Sequence, residues 1–359
     1  MHRIFERRRT LPVSAQSAFD WHERPGAFQR LTPPWEAVRL VSHEGGIRDG
    51  ARVVVAIGRW PWQLNWQLEH RDYLYGCQFR DVQIRGPFGF WEHTHRFHDA
   101  GPTNCVLEDH IEYRLPLDRW LGPLADPLVR RKLARLFTYR HAVTADDLAA
   151  LASSPRSSAM RVLVSGASGM VGTALQSLLQ LAGDEVRPLA REKHEGDAVI
   201  WNPAAGTIDR PALEGFDAVV HLAGENIAAG RWTPAKKARI RDSRVVGTRL
   251  LSEALAAQSQ KPRVLVCASA IGIYGNRGDE ILDESSPPGE GFLADVCREW
   301  EAATAAARQA GIRVVNLRFG VILSPTGGAL AHMLTPFRLG VGGRMGSGRQ
   351  YMSWITLDD

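Results

Sequence analysis

The sequence predicts two domains: an α+β domain in which an antiparallel sheet grips a long C-terminal helix, and an α/β domain with a parallel, doubly wound sheet. Three observations lead to this prediction. The chain of 359 residues is too long for one typical core. Its first part alternates apolar and polar residues with a period of two, as antiparallel strands do. Its second part opens with a glycine-rich turn between an apolar strand and a helix.

The bulk composition, 44% hydrophobic and 23% charged residues, is that of a globular protein. Its net charge is +5, but no Lys/Arg block is interleaved with aromatic residues, so we expect no nucleic-acid partner. No apolar run approaches the ~20 residues of a membrane span, and the N-terminus lacks the apolar core of a signal peptide. Four widely spaced cysteines without a CxxC pair indicate free thiols, and we expect a cytoplasmic protein.

The composition changes near residue 150, because nine of the twelve His and seven of the eleven Trp precede it. We therefore expect a first domain over 1–150, a linker over 151–159 and a second domain over 160–359. The linker is Ser-rich and contains Pro155. The stretch MRVLVSGASG, which begins at Met160, would serve as the start of a free-standing protein, so we interpret the chain as a fusion.

The elements of the first domain follow from its periodicity. The stretch SAQSAFDWHERPGAFQRL predicts early helical structure, and PLVRRKLARLFTYRHAVTADDLAAL predicts the long closing helix. Alternation between turns predicts strands over 52–58, 62–73, 76–86, 91–99 and 105–115. One sheet around one helix is an architecture that encloses an apolar cavity.

Histidines and tryptophans are the other notable residues of this domain. The histidines on or beside its strands include His93, His95, His98 and His110. The period of a strand puts His93 and His95 on one side and His98 on the other. We considered a metal site, but polar strand faces and turns explain these histidines more simply, so no metal is expected. We interpret three tryptophans as core or cavity lining rather than a platform for bases: Trp60, Trp62 and Trp66.

The second domain opens with the spacing Gly166-x-x-Gly169-x-x-Gly172 after an apolar strand over 162–165. Glycines in this position permit a tight turn, let the backbone approach a pyrophosphate, and let the next helix pack closely on the strand. The N-terminus of that helix presents unpaired N–H groups to an anion. A second strand, EVRPLA, follows at the appropriate distance, so the pattern predicts a dinucleotide site.

The end of the second strand indicates which dinucleotide is bound. An NAD enzyme usually carries Asp or Glu there for the ribose 2′-hydroxyl, whereas this chain has Ala190 and Arg191. An Arg accommodates a 2′-phosphate, so the sequence favours NADP(H) over NAD(H). The alternative is a solvated Arg at a strand end.

Several further stretches resemble a known family: DAVVHLAGEN (217–226), SRVVGTRLL (243–251), CASAIGIYG (267–275) and VVNLRFGVILSPTGGAL (314–330). With the glycine spacing, they resemble extended short-chain dehydrogenases/reductases of the NAD-dependent epimerase/dehydratase group, densely over 160–359. Within that group the chain resembles an atypical subgroup, the epimerase-family proteins, whose substrate is unassigned. That subgroup normally continues into a further C-terminal domain, so we expect a chain truncated after Asp359, with the substrate cap incomplete.

The first domain resembles the START-like (SRPBCC, helix-grip) superfamily in its order of elements and in the pattern Trp91-x-His93-x-His95. This resemblance implies an apolar small-molecule ligand within 1–150. For the second domain, the glycine pattern and the resemblance together imply a set of cofactor contacts: Gly166, Ser168, Gly169, Met170, Val171, Gly172, Arg191, Leu222, Ala223, Gly224, Arg244 and Ser269.

The usual catalytic groups of the superfamily are missing. Its members use a Tyr, a Lys four residues later and a nearby Ser or Thr to move a proton. When Tyr274 is taken as the register mark, those Tyr and Lys positions hold Phe292 and Val296. The catalytic residues therefore stay unknown. The candidates are Tyr274 and Glu225, whereas Cys297 is interpreted as an inert, buried thiol.

These observations leave three functional hypotheses. The first is an atypical NADP(H)-dependent oxidoreductase or epimerase acting on an unknown small molecule, fused to a domain for a hydrophobic ligand. The alternative is a non-catalytic NADP(H)-binding module that senses redox state or regulates a partner. A third is a lipid carrier with a vestigial second domain.

Overall fold

The structure is a computed structural model that describes residues 2–116, 118–153, 158–192, 197–344 and 346–359. The chain packs as two units, Met1–Ser157 and Ser158–Asp359. The middle of the expected linker, residues 154–157 with Pro155, lies outside the described residues.

The first unit contains one antiparallel sheet of seven strands in the order β1-β7-β6-β5-β4-β3-β2. The strands are β1 (Arg3–Leu11), β2 (Val38–Glu44), β3 (Arg52–Ile57), β4 (Leu64–Leu74), β5 (Gln78–Arg85), β6 (Phe90–Asp99) and β7 (Cys105–Arg114). The five strands predicted over 52–115 correspond to β3 to β7. The predicted strands do not include β1 and β2.

Three helices complete the first unit: α1 (Ala15–Glu23), α2 (Ala27–Leu31) and α3 (Asp118–Ser153). The break between α1 and α2 has a local cause, because Arg24 precedes Pro25 and is driven out of the helical region. Leu133 and Phe137 of α3 pack against Ile111 and Tyr113 of the sheet. The predicted class, a sheet gripping a long helix, is therefore confirmed.

The interpretation of the tryptophans was wrong for two of the three. Trp60 and Trp62 are each 87% exposed, because they lie in the turn between β3 and β4, beyond the hydrogen-bonded strands. Trp66 does pack inside, with Trp91. His93 and His95 lie on one polar face of the sheet, as expected, but this face is buried, since they are 2% and 6% exposed.

The second unit is built on a mostly parallel sheet in the order β11-β10-β9-β8-β12-β13-β14. Its strands are β8 (Arg161–Ser165), β9 (Glu185–Ala190), β10 (Val199–Asn202), β11 (Thr207–Ile208), β12 (Ala218–His221), β13 (Val264–Ala270) and β14 (Arg313–Phe319). A separate parallel pair joins β15 (Val321–Leu323) to β16 (Trp354–Thr356). Strands β9, β10 and β11 lie on one side of β8, and the chain then crosses to β12 on the other side. The strand order therefore reverses between β8 and β12.

The helices of this unit are α4 (Met170–Leu181), α5 (Pro234–Ala256), α6 (Phe292–Ala302), α7 (Ala305–Gln309) and α8 (Gly328–Arg338). Leu251 and Leu255 of α5 form a buried core with Leu163, Val219 and Leu265 of the strands. Within the described residues of the chain, every helix is too short or too polar to cross a membrane.

Candidate functional site

The glycine-rich turn joins β8 to α4 at the point where the strand order reverses. Gly166 has a left-handed φ of 69°, and a Cβ there would lie 2.8 Å from the Leu222 carbonyl carbon, just beyond β12. A Cβ on Gly172 would lie 2.2 Å from the Gly166 carbonyl oxygen. Both positions therefore exclude a side chain, the first through backbone conformation and contact, the second through contact alone.

The N-terminus of α4 fits an anionic group. The helix begins at Met170, and the N-cap residue Gly169 supplies no side-chain hydrogen bond to it. The first N–H groups of a helix have no intrahelical partner, so those of Met170 and Val171 face the turn uncapped. Unpaired N–H groups at a helix N-terminus favour an anion such as a pyrophosphate, and the glycines let the backbone approach it closely.

The expected cofactor contacts converge on one edge of the sheet, because β8, β9, β12 and β13 are parallel. The turn follows β8, Arg191 follows β9, Leu222 to Gly224 follow β12, and Ser269 lies near the end of β13. Arg191 is exposed at the margin of this edge. The tertiary structure thus brings these expected contacts together at the carboxyl ends of the strands, where α/β proteins bind their ligands.

A buried histidine that the sequence analysis had not considered supports this edge. His221 ends β12, and its Nδ1 lies 2.6 Å from Ser165 Oγ while its Nε2 lies 2.9 Å from Thr248 Oγ1. Ser165 Oγ in turn accepts hydrogen bonds from the backbone N–H groups of Leu222 and Ala223. Burial lowers the pKa of His221 to about 4, so the ring is neutral near pH 7. A lone His at the end of the apolar run DAVVH was the available sequence signal.

Arg244 lies against the end of β12. Its guanidinium donates hydrogen bonds to the carbonyl oxygens of Glu225 and Ile240 and lies over the Trp300 ring at 5.1 Å. A Cβ on Gly224 would approach the Arg244 Cζ to 3.2 Å, so the glycine admits the guanidinium. Arg244 is therefore half-buried on the inner side of α5.

Glu225 is held by cations of α5. Its Oε1 lies 2.6 Å from Lys236 Nζ and 3.6 Å from Arg239 Nε. The hydrogen bond from Lys236 is the main reason that the pKa of Glu225 is lowered. The backbone N–H of Glu225 donates to Ser243 Oγ. The carboxylate is thus ionised and engaged in attaching α5 to the end of β12.

A polar network beyond β13 includes the candidate Tyr274. The Ser269 hydroxyl donates a hydrogen bond to Glu301 at 2.6 Å. Glu301 also accepts hydrogen bonds from Nε and Nη2 of Arg318, at 2.9 and 3.0 Å. Arg318 also donates to the Tyr274 hydroxyl at 2.9 Å. Burial raises the pKa of Glu301, but the hydrogen bonds from Arg318 and Ser269 outweigh it, so the net pKa lies below the usual value. No local sequence pattern predicted Glu301 and Arg318, which lie on α6 and β14 and meet only in the folded chain.

The helix α6 offers no replacement for the missing Tyr and Lys. Phe292 is half-buried, and its ring centroid lies 5.6 Å from that of Trp232. Lys237 Nζ lies over the Phe292 ring, 5.2 Å from its centroid. Val296 is 2% exposed. Cys297 is 3% exposed, and burial raises its pKa, as the interpretation of an inert thiol requires.

Comparison with known proteins places both units. The sequence profile of the NAD dependent epimerase/dehydratase family matches residues 162–359, and that of the polyketide cyclase/dehydrase and lipid transport family matches residues 2–151. Epimerase family protein Mb2239 of Mycobacterium bovis is 47% identical over 199 residues, which cover 55% of this chain and 65% of that protein. Human epimerase family protein SDR39U1 is 40% identical over 205 residues, covering 56% of this chain and 67% of that protein.

Two solved structures are similar as well. A nucleoside-diphosphate sugar epimerase from Corynebacterium glutamicum is 34% identical with a TM-score of 0.82, covering 99% of this chain and 73% of that one. Human SDR39U1 isoform 2 with NADPH is 38% identical with a TM-score of 0.51, covering 56% of this chain and 67% of that one. The chain spans less than two thirds of the length of the Mycobacterium relatives, 64% to 65%. It belongs, through its second unit, to the NAD dependent epimerase/dehydratase family and carries a START-like domain at its N-terminus.

Proposed function

We propose that the second unit binds NADP(H) at the carboxyl edge of its parallel sheet and that the chain is an oxidoreductase or epimerase-like protein of still unidentified substrate. The observation that carries this proposal is the tight turn from Gly166 to Gly172, in which Gly166 and Gly172 leave no room for a side chain and which leads into the uncapped N-terminus of α4. The NADPH found with the human relative supports the choice of cofactor.

The arrangement of residues also supports an orientation for the cofactor. The pyrophosphate would lie over the N-terminus of α4, and Arg191 beyond β9 would receive the 2′-phosphate of the adenosine ribose. Because β9 and β12 flank β8 on opposite sides, the nicotinamide half would extend over β12 and β13. Ser269 and the Tyr274 network lie at that end of the site.

The cofactor preference is tested by titrating the full chain with NADPH and NADH in a calorimeter. We expect NADPH to bind more tightly, and the variant Arg191→Gln to weaken NADPH about tenfold or more, since hydrogen bonds to charged groups contribute about 1.5–3 kcal/mol. Its affinity for NADH should not change. The matched control is Arg263→Gln, which removes an exposed cation at the opposite, amino end of β13. Equal affinities of the wild type for NADPH and NADH would refute the preference.

Tyr274 is the first candidate for the proton donor. Reduction of a carbonyl by hydride requires a proton, and Phe292 and Val296 have none to give. The Tyr274 hydroxyl is a proton-bearing group at this end of the site, and Arg318 places a positive charge 2.9 Å from its oxygen. Glu301 keeps that guanidinium in position through its two hydrogen bonds.

Deuterium transfer from labelled NADPH tests this role. The full chain would be incubated with sugar nucleotides, quinones and small carbonyl compounds, and label would be sought in the products. Tyr274→Phe should reduce the rate about 10²–10⁴-fold without changing NADPH affinity, as loss of a general acid does. Tyr351→Phe, at an exposed tyrosine, serves as the control. A full rate of transfer in Tyr274→Phe excludes this tyrosine.

A non-catalytic NADP(H)-binding module is the second candidate function, favoured by the buried, apolar Val296 and the Phe292–Trp232 contact on α6. Tight NADPH binding without label transfer to any compound of the panel would support it. For the first unit we propose an apolar small-molecule ligand, as its family suggests. Mass spectrometry of material extracted from the purified full chain is the test.

A further inference from the structure

The core of the first unit contains a cluster of titratable side chains that the proposed functions do not use. Its members are His22, His70, Asp81, His93, His95, Asp109 and His141. Six of them are at most 7% exposed, and the side chain of Asp81 is 17% exposed. Burial of polar and charged groups is unfavourable unless they are paired, so a cluster of this size in a small core requires an explanation.

Strand register brings the cluster together. His70 on β4 is paired with Asp81 on β5, and Asp81 is paired with His93 on β6. Two residues further along β6, His95 is paired with Asp109 on β7. Paired residues and alternate residues of a strand share a face of the sheet, so these five side chains lie on the face that packs against α3.

Three of these side chains face one point. Asp81 Oδ2 lies 3.7 Å from His93 Nδ1 and 3.6 Å from His95 Nε2. These separations are too long for hydrogen bonds. They suit two ligands of one ion, because zinc with bonds of about 2.0–2.2 Å in a tetrahedral site holds its ligand atoms about 3.3–3.6 Å apart.

Asp109 lies close to a second ring nitrogen of both imidazoles and makes a hydrogen bond with that of His93. Its Oδ1 lies 2.8 Å from His93 Nε2 and 2.7 Å from His95 Nδ1. A histidine that binds a metal usually directs its other ring nitrogen to a carboxylate. The other two ring nitrogens, His93 Nδ1 and His95 Nε2, lie on the side of Asp81.

The outer contacts leave buried polar atoms unsatisfied. His70 Nδ1 lies 2.7 Å from Asp81 Oδ1, and His141 Nε2 binds Asp109 Oδ2. Among the described residues, Asp81 Oδ1, His95 Nδ1 and both ring nitrogens of His70 nevertheless make no hydrogen bond of acceptable geometry. Buried polar groups are rarely left in this state. These atoms differ from Asp81 Oδ2, His93 Nδ1 and His95 Nε2, the three donor atoms that face one another.

We infer that Asp81, His93 and His95 form a binding site for a divalent transition metal of the zinc class, with Asp109 positioning the imidazole of His93. The donor atoms, one from each of these three side chains, lie within 4.8 Å of one another. Two imidazole nitrogens and one carboxylate oxygen suit Zn²⁺ or Fe²⁺, whereas Ca²⁺ and Mg²⁺ prefer oxygen ligands throughout. Three protein ligands leave room for a fourth.

Metal titration of the full chain tests the inference. After chelator treatment, the wild type should bind one Zn²⁺ per chain with a dissociation constant below about 1 µM, in competition with a chromophoric chelator. Asp81→Asn and His95→Gln should each weaken binding at least about 100-fold, and Asp109→Asn about 10–100-fold. The matched control His98→Gln, on the same strand with a half-exposed side chain on the opposite face, should bind as the wild type does.

A second measurement decides the case where a variant does not fold. X-ray absorption of the zinc-loaded wild type should show two imidazole ligands, and loading with Co²⁺ should give visible bands of a nitrogen- and oxygen-ligated ion. Failure of the wild type to bind Zn²⁺ would overturn the inference, as would a first shell without histidine. Unchanged binding by folded Asp81→Asn and His95→Gln would do the same. None of these results depends on NADP(H) binding by the second unit.

Discussion

Replacement of Gly166 by Ala should destabilise the second unit by about 2–4 kcal/mol, and contact with the end of β12 should account for most of the loss. Two terms contribute. The left-handed φ of 69° costs a residue with a Cβ about 1–2 kcal/mol. Ala recovers about 0.4–1 kcal/mol of this by restricting the unfolded chain, so the conformational term is about 1 kcal/mol.

The second term is steric. The new Cβ would lie 2.8 Å from the Leu222 carbonyl carbon and 2.9 Å from the Ala223 nitrogen. Both atoms belong to the backbone and cannot rotate away, so β8 and β12 must separate. Overpacking of this kind typically costs about 1–3 kcal/mol. It also disturbs the hydrogen bonds that Ser165 Oγ accepts from the same backbone.

Gly183, just beyond α4, isolates the steric term. Its φ is 88°, also left-handed, but a Cβ there would meet no atom within 4 Å. Gly183→Ala should therefore cost only the conformational term of about 1 kcal/mol. The two substitutions exchange the same residues in the same unit, so their difference measures the close approach between the turn and β12.

Hydrogen exchange followed by mass spectrometry measures both variants in the full chain. It reports opening free energies for peptides from β8 and β12 without requiring the whole chain to unfold in one step. Gly166→Ala should lower these free energies by about 1–3 kcal/mol more than Gly183→Ala, and it should also weaken NADPH binding. Equal losses in the two variants would show that the contact with β12 contributes nothing.

Two further predictions concern titration and reactivity. Since burial lowers the pKa of His221 to about 4 against an ordinary 6.5, its contribution to stability is present above pH 6.5 and is lost as the pH falls to 4. The free energy of unfolding should fall by about 3 kcal/mol over this range in the wild type, and this part of its pH dependence should be absent in His221→Gln. Urea unfolding at several pH values measures both proteins, and parallel pH profiles would contradict the prediction. Among the thiols, the exposed Cys77 should react with DTNB much faster than the three buried ones, Cys105, Cys267 and Cys297. Comparable rates would refute this, because burial raises the pKa of Cys267 to about 12 and of Cys105 to about 11.

Local sequence was sufficient for the architecture and for the core of the candidate cofactor site. The alternation in 52–115 predicted the first sheet, because periodicity directly reflects which residues face a core. The long uninterrupted stretch after it predicted α3. The spacing from Gly166 to Gly172 predicted the turn between β8 and α4, because close backbone contacts leave no space for other residues there. Arg191 was predicted in the same way, from its position directly after the second strand of the domain.

Only the tertiary structure decided which residues of different strands and helices are in contact. A period of two placed His93 and His95 together, but it did not tell which face of the sheet is buried or that Asp81 and Asp109 stand on the flanking strands. In the same way, Glu301 and Arg318 are 17 residues apart and meet Ser269 and Tyr274 only when α6 packs beside β13 and β14.

The sequence by itself therefore determined the two folds and the glycine-rich turn, which depend on short-range backbone geometry and on hydrophobic periodicity. The tertiary structure decided the burial of the histidine cluster, the exposure of Trp60 and Trp62, and the polar network around Tyr274. The physical reason is that strand register and helix packing join residues far apart in the chain, and no local pattern encodes those distances.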